Sequence, residues 1–147
     1  MKIQSNRNAF TMMELIFVIV IIGILTAIAV PKFTGVAKSA YVSKGKNTLA
    51  IVRSAIATEK QKKILKGDYN DIVISNDTGR VFTQFDDENG TKILDNDLPS
   101  CSSLGCWYSS NAVDYTFHTD DAETCTYKLE NNHFVDKTNG GCKKLEE

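Results

Sequence analysis

Phe10 to Val30 reads FTMMELIFVIVIIGILTAIAV, and this run decides the architecture. It is almost wholly apolar, with one charge, Glu14, near its start. At about 1.5 Å per helical residue it spans roughly 30 Å, the thickness of a bilayer's hydrocarbon core. A carboxylate within such a run costs roughly 2.5–3.5 kcal/mol on insertion scales, which makes Glu14 a functional candidate. The plainer reading is an anchor whose Glu14 snorkels to the headgroups, since it lies only about 6 Å along the axis from Phe10.

Outside the run the chain is ordinary. It has 147 residues, a formal charge of -1 and 42% hydrophobic residues, much of that content concentrated in the run itself. The length implies one domain, and the residues beyond the run make a modest head. Lys2 and Arg7 carry the positive charge ahead of the run; without them the remainder is mildly acidic. No basic stripe remains that would argue for nucleic acid as a partner. Under the positive-inside rule Lys2 and Arg7 stay cytoplasmic, which places the C-terminal bulk of this single-pass chain across the membrane. Four cysteines, Cys101, Cys106, Cys125 and Cys142, fall in the last third. An even number clustered in a small head across the membrane reads as disulfides. Zinc would need a reducing compartment and tighter C-x2-C pairs.

Residues 1–9, MKIQSNRNA, are short, polar and positively charged. An ordinary secretory signal places its apolar region before a small-residue cleavage site. Here Ala9 precedes the apolar run, so cleavage after it would release only the leader and keep the membrane helix on the mature chain.

The segment Ala9-Phe10-Thr11-Met12-Met13-Glu14-Leu15, with the apolar run and Pro31 behind it, resembles the class III signal of type IV pilins and type II secretion pseudopilins. The resemblance covers about the first 35 residues strongly and the rest only in layout. It implies a prepilin peptidase cut between Ala9 and Phe10 and N-methylation of Phe10. The family usually has Gly where this chain has Ala9; alanine is the mildest replacement, so cleavage is still expected. The resemblance also implies that Glu14 pairs with the terminal amine of a neighbouring subunit. The physics agrees, because a carboxylate in a low-dielectric setting is tolerable once it meets a cation, and a misplaced subunit would leave both charges unpaired.

Gly23 and Pro31 interrupt the helix-favouring content. Pro31 has no N–H and crowds the Ala27 carbonyl one turn back, so a kink is expected. Gly23 weakens the helix by roughly 1 kcal/mol relative to alanine. The resemblance implies that Gly23 to Val30 is an extensible stretch of the assembled filament; the alternative is a glycine that permits close helix packing. From residue 31 to 66 the pattern turns amphipathic, with Leu49, Val52, Ala55 and Ile56 at helical spacing and Val42 and Gly45 on the same side. Lys60, Lys62, Lys63 and Lys66 suit a helix C-terminus, read as a solvated helix end, and Gly67 is a natural stop. Run and amphipathic segment together make one helix of roughly 85 Å.

Residues 67–100 read as a polar connection with short apolar pieces and the turn signals Asn76-Asp77-Thr78-Gly79 and Glu88-Asn89-Gly90, in which the sequence leaves a strand or a short helix open; the resemblance places the family's variable connecting loop here. Residues 101–147 read as antiparallel sheet. Val113, Tyr115 and Phe117 alternate with polar residues, as do Cys125, Tyr127 and Leu129, and Asn131-Asn132 turns into His133-Phe134-Val135. The nearest pairing by sequence joins Cys101 to Cys106 and Cys125 to Cys142, although four cysteines allow three connectivities. The expected fold is therefore α+β: a long N-terminal helix, half transmembrane and half amphipathic, packed on a small antiparallel head.

Enzyme motifs are missing. His118 and His133 stand in no metal or catalytic context, and no nucleophile elbow, Walker A or dinucleotide fingerprint occurs. No cofactor is expected. The oxygen-rich stretches Asp86–Gly90, Asp95–Asp97 and Asp120-Asp121 with Glu123 do not match an EF-hand loop, and acidic loops are usually solvated. Were calcium bound, Asp114, Asp120, Asp121 and Glu123 would be its candidate ligands. Trp107 and Tyr108 are expected in the core, the other reading being an adhesive patch.

Two functions of different class fit this sequence. The first is a structural subunit of a type IV pilus or type II secretion filament, trimmed by the peptidase and drawn from the bilayer into a helical self-polymer. The resemblance adds an inner-membrane platform protein and its ATPase as partners. The second is a membrane-anchored periplasmic binding module that does not polymerise. A minor pilin of a DNA-uptake filament is a variant of the first.

Overall fold

A computed structural model describes residues 10–119, 123–138 and 142–146 of the chain. The leader, residues 1–9, lies outside the described residues. The architecture is α+β, a long N-terminal helix, α1 (Met12–Leu65), and a small antiparallel head. The chain forms two compact units that divide within α1, between Ala37 and Lys38.

In the N-terminal unit α1 contributes side chains but no core. The large apolar residues from Phe10 to Val36 are 41–80% exposed. The helix is long and apolar enough to cross a membrane, with a mean hydropathy of 2.8 over its most apolar 18-residue window. It continues unbroken through Gly23 and Pro31, so the Gly23–Val30 stretch is helical here. The Thr26 and Thr34 hydroxyls donate back to the Ile22 and Pro31 carbonyls, at 2.7 and 2.9 Å. Each polar side chain is thereby satisfied by its own helix, as an apolar environment demands.

In the head, the same helix is amphipathic. Gly45, Thr48, Leu49, Val52, Ile56 and Glu59 form its buried stripe, at the three- and four-residue spacing of one helical face. Gly45 is required by close approach: a Cβ there would lie 2.7 Å from the Phe117 ring and 2.9 Å from Leu145. The helix ends in a Schellman turn. Gly67 takes φ +76°, its N–H donates to Ile64 O at 2.9 Å, and the Asp68 N–H donates to Lys63 O at 2.9 Å. Glu59 is the unexpected member of the stripe, a 5% exposed carboxylate whose Oε2 accepts from Lys62 Nζ at 3.2 Å.

Four strands form the main sheet: β5 (Trp107–Tyr108), β6 (Asp114–His118), β7 (Thr124–Glu130) and β8 (His133–Asp136), antiparallel in that order. The register pairs Tyr115 with Tyr127, Phe117 with Cys125 and Trp107 with Phe117. Period-two alternation therefore puts Trp107, Tyr115, Phe117, Cys125, Tyr127 and Phe134 on the core side. Asn131 and Asn132, both at positive φ (49° and 65°), close the β7–β8 hairpin; asparagine tolerates that region, which the twist of tight hairpins favours.

The stretch expected as a connecting loop is more ordered than its sequence implies. It forms two antiparallel pairs: β1 (Ile74–Ser75) with β3 (Gln84–Phe85), and β2 (Arg80–Val81) with β4 (Leu98–Pro99). It also supplies Ile72, Ile74, Val81, Phe82, Phe85 and Ile93 to the core. Phe82 sits at φ +56°, a strained position for a bulky residue. Its ring stacks on Tyr115 at 4.4 Å and meets Trp107 edge-on at 5.3 Å, while its N–H donates to Asn76 Oδ1 at 2.9 Å. Burial of that ring and the capped amide offset the backbone strain.

Disulfides join Cys101 to Cys106 and Cys125 to Cys142. The second links β7 to the short helix α2 (Lys143–Glu146), whose Leu145 is buried beside Gly45.

Candidate functional site

The residues that the sequence singles out for processing and assembly lie at the start of α1. Phe10 is the first described residue and is exposed; Ala9 lies outside the described residues. Glu14 occupies the first turn of the helix, also exposed. Its position follows from the local sequence. Thr11 stands just before the helix, and its hydroxyl accepts the Glu14 backbone N–H at 3.2 Å. Thr11-Met12-Met13-Glu14 has the S/T-x-x-E spacing of a capping box, so the residue that starts the helix also fixes Glu14 three positions later. Sequence reasoning missed Thr11, although that spacing was the available signal.

The first turn suits a carboxylate, because the N-terminal end of the helix dipole carries partial positive charge; such placement contributes roughly 0.3–1 kcal/mol. Glu14 makes no ion pair among the described residues. In hydrocarbon it would need a cation from another molecule. Gly23 has nothing within 4 Å of where a Cβ would stand, so no contact within the chain requires glycine there.

The two described calcium candidates, Asp114 and Glu123, do not converge. Asp114 opens β6 opposite Lys128, whereas Glu123 lies just before β7 at the other end of the ladder. Five residues of strand, about 13 Å, separate those ends. Asp114 accepts from Asn111 at 3.0 Å and pairs with Lys137 at 3.2 Å; these contacts hold its carboxyl below the usual aspartate range. Glu123 pairs with Lys144. Asp120 and Asp121 lie outside the described residues. Among the described residues no group of three or more His, Cys, Asp or Glu is placed to hold a metal. Trp107 is buried at 2% exposure as part of the aromatic core, and Tyr108 beside it is exposed.

What the geometry defines is a class: a chain whose exposed apolar helix bears one carboxylate in its first turn and whose head is a small disulfide-linked sheet. Comparison with known proteins narrows it. Residues 4–30 match the family model described as the prokaryotic N-terminal methylation motif. A 61-residue segment is 53% identical to the type IV narrow pilus major component PilA5 of Thermus thermophilus. That match covers 40% of this chain and 53% of the relative, about half its length. No solved structure matches the chain. The N-terminal part of the chain is thus similar to that of a type IV pilus component and carries the methylation motif.

Proposed function

We propose that the protein is a filament-forming pilin subunit, and specifically the subunit of a type IV pilus. In this reading a prepilin peptidase cuts between Ala9 and Phe10, Phe10 is N-methylated, and the run from Phe10 to Val30 holds the subunit in the inner membrane until assembly. The head lies on the periplasmic side, where the two disulfides are stable. An inner-membrane platform protein and its ATPase drive extraction into the filament. The observation that carries the reading is the pairing of a helix of 54 residues, exposed along its whole apolar run, with one carboxylate in its first turn. Such a surface is costly in water and equally at home against lipid or against copies of itself.

Within the bilayer Glu14 is provided for by the helix terminus. In the filament it meets the methylated amine of Phe10 on a neighbouring copy, which neutralises both charges and sets the axial register. A contact between non-equivalent patches of identical subunits does not close, and so propagates as a helix. The pilus PilA5 names favours a surface pilus over a secretion pseudopilus.

The test is to shear intact cells and analyse the released fraction by N-terminal mass spectrometry. Sheared polymer beginning at methylated Phe10 is the expected result. Mature protein confined to membrane and periplasm would move the assignment to a secretion pseudopilus. Uncleaved protein that remains a monomer in the membrane would sink the filament reading in favour of an anchored binding module.

A further inference from the structure

Where the chain leaves its apolar run, it turns basic. Residues 31–46 carry Lys32, Lys38, Lys44 and Lys46 and no acid, and no Asp or Glu occurs between Glu14 and Glu59. With Glu14 at one membrane interface, the residues from Leu15 to Val36 fill the hydrocarbon, roughly 33 Å of helix. Lys32 is the single charge in that stretch, and its long stem can snorkel to the surface. Lys38 opens the head unit two positions past Val36, about 3 Å further along the helix, where headgroups begin.

The fold adds to this charge. A cleft of about 410 Å³ within the C-terminal unit is lined by Lys38, Lys46 and Lys144, together with Ser39, Ser43 and Thr119. Ser39, Ser43 and Lys46 recur at helical spacing, which puts them on one face of α1. Lys144 arrives from far along the chain: Leu145 seats against Gly45, and the Cys125–Cys142 disulfide ties the start of α2 to β7. Thr119 is fixed just past β6, its hydroxyl and N–H both donating to Glu123 O, at 2.9 and 3.1 Å. Lys46 is half-buried and makes no ion pair among the described residues. Lys144 pairs with Glu123, and among the described residues no acid lines the cleft itself. Like charges drawn together in this way repel, and an anion with several oxygens relieves that repulsion.

We propose that this cleft is a headgroup site in which Lys38, Lys46 and Lys144 hold the phosphate of an anionic lipid, seating the head on the bilayer beside its own membrane helix. The inference rests on the membrane-anchored stage of the reading above. Two observations choose the lipid surface as occupant. The cationic side chains match its charge, and the cleft begins two residues past Val36, so it continues the contact that the apolar run makes with lipid. The Ser43 hydroxyl, exposed in the same cleft, supplies a neutral donor to a phosphate oxygen. One lysine near a membrane achieves little. Three that converge on one site, with the membrane helix already in place, act at high effective concentration.

The experiment reconstitutes the full-length chain in nanodiscs of phosphatidylcholine, alone or mixed with phosphatidylglycerol. Acetylation of each lysine by a water-soluble reagent is followed by mass spectrometry. In the mixed lipid, Lys46 and Lys144 should react about fivefold more slowly than in phosphatidylcholine, and high salt should remove the difference. Lys92, which lines a separate cleft with Ala50 and Lys62, should react alike in both. Lys46→Gln/Lys144→Gln should bring Lys38 in the mixed lipid to within about twofold of its rate in phosphatidylcholine, with disulfide formation reporting an intact head. Equal rates for Lys46 and Lys144 in the two lipids would overturn this inference alone. So would equal slowing of Lys92, the mark of a general surface effect, or equal protection by inorganic phosphate in phosphatidylcholine, the mark of a site for the free anion. A chain that inserts in neither lipid would bring down the anchored reading and this inference together.

Discussion

The two ends of α1 belong to one helix and have opposite fates. Before Ala37, isoleucines, leucines and valines stand exposed; after Lys38, Leu49, Val52 and Ile56 are nearly inaccessible. The difference lies in spacing. In the head the apolar residues recur on one stripe and the other faces are polar, so a sheet can cover them. In the run from Phe10 to Val30 they surround the helix, and no one-sided partner could cover them. A helix apolar all round wants lipid or other helices as its solvent. The lesson is that one helix can belong to two folding problems, one solved within the chain and one left for its surroundings.

The sharpest way to break the comparison is Glu14→Ala. Filament yield from sheared cells should drop to background while the head's thermal unfolding is unchanged, because Glu14 belongs to the other compact unit. A shift of the melting transition would mean that the two regions are not independent. Next, Ile56→Ala should lower head stability by roughly 2–5 kcal/mol in urea denaturation, whereas Ile24→Ala should leave it unaltered, since Ile24 is exposed. The glycines sharpen the contrast further. Gly45→Ala drives a methyl into the Phe117 ring and should cost roughly 1–3 kcal/mol. Gly23→Ala meets nothing and should raise the helicity of the run by roughly 1 kcal/mol, readable by circular dichroism in detergent.

The smallest effect concerns Asp87. The Thr91 hydroxyl, with the Thr91 amide, holds its carboxyl below the ordinary aspartate range. A depressed folded-state value contributes stability above the unfolded value, near 4, and that contribution is lost as pH falls through the folded value. Denaturation traced from pH 6 down to pH 2 should therefore show Asp87→Asn less stable than wild type at the upper end and the two converging at the lower. A constant gap across that range would contradict the assignment.

Long and periodic features were legible in the sequence. The apolar run, the stop at Gly67, the alternation through Tyr115 and Tyr127, and the Asn131-Asn132 turn each impose a pattern that local chemistry enforces. The segment from residue 67 to 100 was not legible, because two-residue strands show no alternation. Its apolar pieces, Ile72 to Ile74 and Val81-Phe82, acquire meaning only from the core they enter. Phe82 is the extreme case: nothing local announces a phenylalanine at positive φ, and only its stack on Tyr115 accounts for it. Glu59 was hidden for the converse reason, a charge sitting three residues after Ile56 on the buried stripe and next to the lysines read as a solvated helix end. At the assembly site Glu14 stood out because a lone acid in an apolar run is costly, whereas Thr11 looked like any threonine until its hydroxyl was seen capping the helix.

Leu145 and Cys142 have a further bearing on how the molecule is made. They lie far in sequence from Leu49, the first residue of the core they share, and Leu145 fills the notch left by Gly45. The residues from Gly45 to Leu145 must therefore all be synthesised before that notch is closed, and such long-range closure is slow by its nature. Until then the stripe of α1 stays open, and Cys125 waits for the partner that emerges seventeen residues behind it. Closure of the head thus waits on α2, whose Leu145 is the side chain that fills the Gly45 notch.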